Sequence, residues 1–267
     1  MHGNSIIGIP CSTIKPRWQS SVSHPDHQVI GDYKDYECDS YLQKLVEGKS
    51  IAYVCPSPHL VNQEMGEFID SHDLVVRVNQ NFYPKKSTWS DYGRRTDILV
   101  NCMNQLKIRA LSEDKDYVRS LKFILSAMVS TSERTGIDAY LEATGRPHQN
   151  VCDEYLFKVF KEVGTTVNTG LNGIITLLNY PLKSLYVTGM TFFNMNKMGR
   201  VYRDDYHDHA ARFGNFSDTA NREPSEAQLR MDIHAQQPQI DYFQKIVDHY
   251  YPDKLKLDSF LVENFTS

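Results

Sequence analysis

Short runs of aliphatic and β-branched residues recur along the chain, and they constrain its fold more than any other feature. The clearest runs are residues 50–54, 73–78, 97–100, 121–126 and 184–188. Ahead of the last run, residues 169–180 have helical spacing, with one apolar face made of Leu171, Ile174, Ile175 and Leu178. This alternation of strands and helices predicts an α/β fold with a mainly parallel central sheet flanked by helices.

The chain has 267 residues, of which 40% are hydrophobic, enough for one sizeable core. Residues 1–32 show no sustained period, so we expect a loose N-terminal arm followed by a single domain over residues 33–267. Residues 189–231 are polar and irregular, which is typical of a lid or binding loop. We expect the last helix to begin at Pro238 and to bury a stripe made of Ile240, Phe243, Val247 and Tyr250.

The composition argues against two classes of partner. A formal net charge of −4 gives no electrostatic basis for binding nucleic acid, which needs clustered Lys and Arg. No stretch approaches the roughly 18 apolar residues of a membrane span, and residues 1–32 lack the apolar core of a signal peptide.

The five cysteines form no CxxC pair, which favours free thiols in a reducing compartment. We therefore expect a cytoplasmic protein without a membrane span.

Three segments in the first half of the chain form a spaced pattern. They are SIAYVCPSPH at 50–59, IDSHDLVVRVNQ at 69–80 and DYGRRTD at 91–97. In this order they resemble the large sialylmotif of glycosyltransferase family 29, in which a strand and turn precede IDSHDxVxRxN and then DxGxRTT. The resemblance is specific because several spaced elements match together.

The second half of the chain adds three further matches. NTGLNGIITLL at 168–178, followed by LYVTGM at 185–190, resembles the small sialylmotif of the same family. The tetrapeptide DYHD at 205–208 is a looser match to motif III. HAQQPQ at 234–239 resembles the very small motif, His-x4-Glu, with Gln239 in place of the glutamate.

The sequence also departs from the family pattern. The first turn of the family normally contains GNSG, whereas residues 55–58 here are Cys-Pro-Ser-Pro, so only Ser57 keeps a matching hydroxyl. Ile51 stands where animal members have a disulfide cysteine, and the small motif here has no cysteine. The chain therefore resembles a soluble member of bacterial or viral type.

The resemblance implies both a fold and a reaction. The fold would be a single Rossmann-like domain, the sialyltransferase variant of the GT-A fold. The reaction would be an inverting, metal-independent transfer of sialic acid, or a related ulosonic acid such as Kdo, from a CMP-sugar to a glycan hydroxyl. The partners would be this nucleotide-sugar donor and a glycan acceptor. We expect no cofactor, because a CMP-sugar leaves as a monophosphate for which a divalent metal is dispensable.

Two asparagines close predicted strands, and open α/β sheets bind ligands at the carboxyl ends of their strands. Asn79 and Asn101 can each donate and accept, which suits cytidine or ribose. Asn79 can equally be a turn residue that caps the next segment, and Asn104 competes with Asn101 for the family's position. Pro56 and Pro58 lack an N–H, so the first turn cannot form an N–H nest for phosphate.

Thr169 and Gly170 open the predicted helix over residues 169–180, where free N–H groups and the helix dipole would stabilise an anion. The alternative is that Asn168 or Thr169 is only the helix N-cap. The resemblance assigns donor binding to a set of five residues: Ser57, Asn79, Asn101, Thr169 and Gly170.

His234 precedes the last predicted helix, whose dipole would keep the imidazole neutral and able to accept a proton. The resemblance makes it the catalytic base, and it makes Tyr206 and His207 catalytic residues at the leaving phosphate. The surrounding cluster at 204–209, DDYHDH, could instead ligate a metal. Two other functions stay open: a metal-dependent transferase or hydrolase that uses this cluster, and a non-catalytic glycan-binding module.

Overall fold

The structure is a computed structural model that describes residues 40–79, 86–127, 134–150, 153–192 and 235–266. Its centre is a seven-stranded sheet with the strand order β5-β4-β3-β2-β1-β6-β7. The strands are β1 (Ser50–Val54), β2 (Leu74–Val78), β3 (Ile98–Asn101), β4 (Phe123–Ser126), β5 (His148–Asn150), β6 (Ser184–Thr188) and β7 (Leu255–Leu257). Every strand pairing is parallel. The predicted α/β fold with a mainly parallel sheet is confirmed.

Helices cover both faces of this sheet. They are α1 (Ser40–Val46), α2 (Gly66–Asp70), α3 (Trp89–Tyr92), α4 (Gln105–Glu113), α5 (Lys115–Ser120), α6 (Arg134–Thr144), α7 (Asp153–Val163), α8 (Thr169–Leu178), α9 (Gln236–Tyr250) and α10 (Ser259–Phe265). Two short 3-10 turns lie at Pro58–Leu60 and Lys86–Thr88. Helices α1 and α7 to α10 pack on one face, and α2 to α6 pack on the other.

The central strands are buried on both sides, which explains their continuous apolar runs. Alternate residues of β1 enter opposite cores: Ile51 and Tyr53 join the larger core beneath α8, whereas Ala52 and Val54 join the smaller one beneath α2. The predicted bounds of β1 and β6 match the structure. The short strands β5 and β7 were not predicted.

The last helix begins two residues before its predicted start. Ala235 is the N-cap and Gln236 the first helical residue, so Pro238 lies inside the first turn, where a helix does not need its N–H. The buried face includes Tyr242 and Ile246 in addition to the predicted residues, and Ile240 is only partly buried.

Two regional predictions lie largely outside the described residues. They are the N-terminal arm over residues 1–32 and the lid or binding loop over residues 189–231, of which the structure describes residues 189–192. Among the helices within the described ranges, none is long and apolar enough to cross a membrane.

Candidate active site at the carboxyl edge of the sheet

The candidate site lies where the parallel strands end. The chain runs outward from β1 through β2 to β5 and then returns to the other side of β1 as β6. The strand order therefore reverses between β1 and β6, and open α/β sheets bind ligands at the carboxyl ends next to such a switch point. The residues that follow β1, β2, β3 and β6 all lie at this edge.

Asn79 follows β2 directly and bridges to the next strand. Its main-chain N–H donates to the Val100 carbonyl at 2.8 Å, and its side-chain Oδ1 accepts from the Cys102 N–H at 3.1 Å. The amide oxygen is therefore engaged, whereas no residue in the described ranges accepts a hydrogen bond from the NH₂ group at this half-buried end of the strand. These contacts are those of a turn Asn, and the ligand-binding role predicted for Asn79 stays a prediction.

Three residues at this edge have left-handed backbone angles, which are uncommon for residues other than glycine. They are Asn79 (φ 50°), Met103 (φ 48°) and Phe192 (φ 48°), which follow β2, β3 and β6. Such conformations cluster at binding sites, where the surrounding structure holds them in place.

Asn101 ends β3 and is fully buried. Its Oδ1 accepts from the Met103 N–H at 2.8 Å, while its Nδ2 has no hydrogen-bond partner within the described ranges. The competing residue Asn104 caps α4, because its Oδ1 accepts from the Lys107 N–H at 3.0 Å. Asn104 thus has a local structural role. Asn101, by contrast, has a buried NH₂ group with no acceptor among the described residues at the carboxyl edge of the sheet.

The first turn of α8 lies above the end of β1. Asn168 is the N-cap, and its Oδ1 accepts from the Leu171 N–H at 2.9 Å. The Tyr53 hydroxyl donates to the Gly170 carbonyl at 2.8 Å and so ties this turn to the sheet. Thr169 and Gly170 are half-buried, and their N–H groups precede the capped one. The positive end of the helix dipole therefore faces the switch point.

The loop after β1 is joined closely to the loop after β6. The Cys55 N–H donates to the Thr188 carbonyl at 2.8 Å, and the Ser57 N–H donates to the Gly189 carbonyl at 3.0 Å. A Cβ atom on Gly189 would lie 2.2 Å from the Cys55 carbonyl oxygen, so this approach requires glycine. Because the Ser57 N–H is already used, the structure agrees with the prediction that this turn is not an N–H nest.

Ser57 begins a chain of hydrogen bonds that the sequence analysis missed. Its hydroxyl lies 3.1 Å from Nδ1 of His59, and Nε2 of His59 lies 2.5 Å from Oδ2 of Asp258. The same Oδ2 accepts from the Thr188 hydroxyl at 2.8 Å and from the Gly189 N–H at 3.1 Å. Two residues 199 positions apart in sequence thus meet at the carboxyl edge.

Asp258 is an ionised carboxylate in this setting. Burial alone would raise its pKa, but the hydrogen bond and charge of His59, with the Leu261 N–H and the Thr188 hydroxyl, hold the pKa below its usual value. Its Oδ1 caps α10 by accepting from the Leu261 N–H at 2.9 Å. The only sequence signal for Asp258 was its position as an N-cap ahead of the short segment 259–265.

Several residues of the segments that resemble the large sialylmotif make structural hydrogen bonds. The buried Arg77 guanidinium donates to the Tyr92 carbonyl at 2.7 Å and to the Arg95 carbonyl at 2.9 Å. The carboxylate of Asp70 accepts from the Arg94 and Arg95 N–H groups at 2.9 and 3.1 Å. These hydrogen bonds connect the end of α2 and strand β2 to the segment that leads into β3.

The predicted catalytic residues His234, His207 and Tyr206 lie outside the described residues, as does the whole cluster at 204–209. Gln239 in the His-x4-Gln motif is described and fully buried, and its Oε1 accepts from the Asn168 N–H at 2.9 Å. Within the described ranges, no group of three His, Cys, Asp or Glu residues could hold a metal ion.

The fold of this chain is similar to that of solved sialyltransferase structures. CstII from Campylobacter jejuni with the substrate analogue CMP-3FNeuAc has a TM-score of 0.53 at 14% identity, covering 81% of this chain and 85% of that chain. The same enzyme with cytidine-5'-monophosphate has a TM-score of 0.51 at 13% identity, covering 82% and 84%. A CST-II variant in complex with CMP has a TM-score of 0.52 at 15% identity, covering 81% and 84%.

Sequence comparison finds no matching protein family and no matching curated protein. At 13–15% identity the structural likeness defines the α/β fold that these enzymes share.

Proposed function

We propose that the chain is a glycosyltransferase that moves sialic acid, or a related ulosonic acid, from a CMP-sugar to a glycan hydroxyl. The observation that carries the proposal is the shared edge at which Asn79 offers an amide donor and the first turn of α8 offers N–H groups. The solved structures with this fold include complexes with CMP and with CMP-3FNeuAc, which supports a CMP-linked donor.

Asn79 is proposed to bind the nucleoside part of the donor. Since its Oδ1 is held by the Cys102 N–H, its NH₂ group can only donate to the ligand. Cytosine and ribose both carry oxygen acceptors that fit such a donor. Asn101, with its open Nδ2 on the neighbouring strand, is the second proposed amide contact.

Thr169 and Gly170 are proposed to bind the acidic part of the donor. The dipole and N–H groups of the first turn of α8 favour a negatively charged group, and the donor carries both a phosphate and a carboxylate. The Thr169 hydroxyl adds one more donor at this position. Ser57, next to the switch point, is proposed to contact the phosphate.

The proposed reaction is a direct displacement of CMP by the acceptor hydroxyl, with inversion and without a metal. His234 is proposed to accept the proton of the acceptor hydroxyl, and Tyr206 and His207 to assist the departing phosphate. These roles come from the resemblance of the motifs at 205–208 and 234–239, and the cytoplasm is the proposed location.

Thermal shift with CMP, CDP, UDP and GDP, followed by chromatography of CMP released from CMP-sialic acid, tests the proposal. A ligand that binds the folded state raises its stability, so CMP should give the largest shift. The release of CMP should require an acceptor glycan for full rate and should persist in excess EDTA.

Each other outcome identifies a different function. Selective stabilisation by UDP or GDP would overturn the donor assignment. Loss of activity in EDTA would favour the metal-dependent enzyme that uses the cluster at 204–209. Glycan binding without any release of CMP would favour a non-catalytic glycan-binding module.

A further inference from the structure

The side chain of Tyr53 connects strand β1 to the first turn of helix α8. Tyr53 is fully buried, and its hydroxyl donates to the Gly170 carbonyl at 2.8 Å. Strand β1 lies at the switch point of the sheet, between β2 and β6. One polar contact thus joins the switch-point strand to the helix turn that is proposed to bind the acidic part of the donor.

The surroundings of the Tyr53 hydroxyl make it a donor that needs this acceptor. It lies in the larger core, where a hydroxyl without a partner would cost stability. Burial raises the pKa of Tyr53 well above its usual value, so the hydroxyl keeps its proton at neutral pH. The hydrogen bond therefore runs from Tyr53 to the Gly170 carbonyl throughout the neutral range.

Helix α8 leaves room for this hydroxyl at Gly173, three residues after Gly170. A Cβ atom on Gly173 would lie 2.2 Å from the Tyr53 hydroxyl oxygen and 3.1 Å from the ring carbon that carries it. The lack of a side chain at Gly173 therefore lets the hydroxyl reach the Gly170 carbonyl. Because the interior is close-packed, the pair of Tyr53 and Gly173 sets the distance between the helix and the strand.

The peptide group between Gly170 and Leu171 is held at both ends. Its carbonyl accepts from the Tyr53 hydroxyl, and its N–H donates to Oδ1 of Asn168 at 2.9 Å. The two preceding N–H groups, those of Thr169 and Gly170, belong to the same turn. Hydrogen bonds weaken steeply as their angle departs from linearity, so the orientation of this turn decides how well those N–H groups can bind an anion.

We propose that Tyr53 is a positioning residue for the negatively charged group of the donor. Its hydroxyl holds the first turn of α8 in the orientation in which the N–H groups of Thr169 and Gly170 bind that group. The inference rests on the proposed function, which gives Tyr53 no role. It concerns the anion alone, because the proposed nucleoside contacts, Asn79 and Asn101, lie on other strands.

Tyr53→Phe tests the inference, because it removes one oxygen atom and keeps the ring in the core. Calorimetric titration of the full chain should show CMP affinity falling about 3-fold to 10-fold, the change that corresponds to one neutral hydrogen bond. The affinity for cytidine, which has no phosphate, should stay the same. The ratio of CMP affinity to cytidine affinity is therefore the decisive measurement, since general destabilisation of the fold would not lower it selectively.

Tyr180→Phe is the matched control. Tyr180 is also fully buried, and its hydroxyl donates to Oε1 of Gln149 at 3.0 Å, beyond the opposite end of α8. This variant should lose a similar amount of thermal stability and keep the ratio of the unaltered protein. Gly173→Ala disturbs the Tyr53 contact from the helix side and should lower the ratio, so the test does not depend on a single variant.

The remaining outcomes separate the inference from the proposed function. The substrate analogue CMP-3FNeuAc carries a carboxylate in addition to the phosphate, so a loss seen with this analogue and not with CMP would identify the carboxylate as the positioned anion. An unchanged ratio in Tyr53→Phe for both ligands, or an equal fall in Tyr180→Phe, would overturn the inference alone. Absence of CMP binding to the unaltered protein would overturn both the inference and the proposed function.

Discussion

The side-chain oxygen of Gln239 accepts a hydrogen bond from the main-chain N–H of Asn168, the residue that caps helix α8. The Gln239 NH₂ group donates at the same time to the Ala235 carbonyl at 3.0 Å, one turn back along α9. Both polar ends of a fully buried amide are therefore satisfied. The two motifs that resemble the small and very small sialylmotifs are in direct contact through this side chain.

Replacing Gln239 by glutamate, the residue of the family pattern, should destabilise this protein. The carboxylate keeps the contact to Asn168 but loses the donor to the Ala235 carbonyl, and it adds a charge in a buried position. We expect a loss of about 1 to 3 kcal/mol in the free energy of unfolding, measured by urea denaturation. Burial raises the pKa of such a carboxyl, so the loss should be small below about pH 4 and grow as the pH rises.

Gln63→Glu is the matched control, since Gln63 is exposed on the loop after β1. It should change the stability by less than about 0.5 kcal/mol. Equal stability of Gln239→Glu and Gln63→Glu at neutral pH would contradict the structural role assigned to Gln239.

Helix α8 lies against the sheet so closely that Gly173 has no room for a side chain. A Cβ atom there would lie 2.2 Å from the Tyr53 hydroxyl oxygen and 2.8 Å from Cγ1 of Val100. Gly173→Ala should therefore cost about 1 to 3 kcal/mol, as overpacked cores do. It should also displace the first turn of α8 and weaken CMP binding.

Gly136→Ala makes the contrast on α6, where a Cβ atom meets nothing within 4 Å. Alanine is the better helix former, so this variant should gain up to about 1 kcal/mol. Thermal unfolding of the two variants side by side measures the difference. A gain in both would show that α8 can move away from β1 without cost.

The sequence was sufficient to predict the strands that lie in the middle of the sheet. β1 and β6 have continuous apolar runs because both of their faces are covered, and their predicted bounds match the structure. β5 is the tripeptide His-Gln-Asn and β7 is Leu-Lys-Leu. Three residues with polar members are too short to show a period, so neither edge strand could be recognised.

The candidate site likewise has features that the sequence predicts and features that it does not. The position of Asn79 directly after a buried strand was predicted correctly, because the end of a strand is a local property of the sequence. The contact between His59 and Asp258 depends on pairing between β1, β6 and β7, which no local pattern encodes. The use of the Asn79 oxygen by Cys102 is likewise a tertiary contact, and it occupies one of the two acceptor positions of the amide oxygen.

Asn79→Asp should weaken CMP binding with little change in the fold. Aspartate keeps the oxygen that accepts from Cys102 and tolerates the left-handed backbone, but it replaces the NH₂ donor with an acceptor. The expected loss is about 1 to 3 kcal/mol of binding free energy, which is about 5-fold to 150-fold in the dissociation constant. Calorimetric titration with CMP measures it.

Asn62→Asp is the control for this change. Asn62 is exposed and also has a left-handed backbone, with φ of 63°. Its CMP affinity should equal that of the unaltered protein. If Asn79→Asp bound CMP equally well, Asn79 would be a turn residue only.

Protonation of Asp258 should make the protein less stable in acid. Its pKa is lowered in the folded state, so its contribution to stability is complete above the unfolded pKa of about 3.9 and is lost as the pH falls through the folded value. Asp258→Asn removes the negative charge and replaces one of two accepting oxygens, which together serve four donors, with an NH₂ donor. It should cost about 3 kcal/mol at neutral pH. Urea denaturation at several pH values should show this cost shrinking below about pH 4.

Asp116→Asn is the control, because the ion pair between Asp116 and Arg119 is exposed to solvent. Surface pairs of this kind contribute about 0 to 1 kcal/mol, so its stability profile should follow that of the unaltered protein. A cost for Asp258→Asn that stays constant from neutral pH to strong acid would contradict an ionised, hydrogen-bonded Asp258.

His234→Ala should abolish transfer and leave CMP binding and folding nearly intact. A general base acts on the acceptor hydroxyl in the transition state and does not need to hold the donor. The rate should fall about 10² to 10⁴-fold, the usual range for loss of general acid–base catalysis. His249→Ala, an exposed histidine near the end of α9, is the control and should keep full activity.

A second comparison separates the base from the residues at the leaving phosphate. His207→Ala should slow the departure of CMP, so a donor with a better leaving group should partly restore its rate. The same donor should give no recovery in His234→Ala, because the missing step there is removal of the acceptor proton. If His234→Ala kept most of its activity, or lost several kcal/mol of stability, His234 would be a structural histidine and the base would have to be His207 or His209.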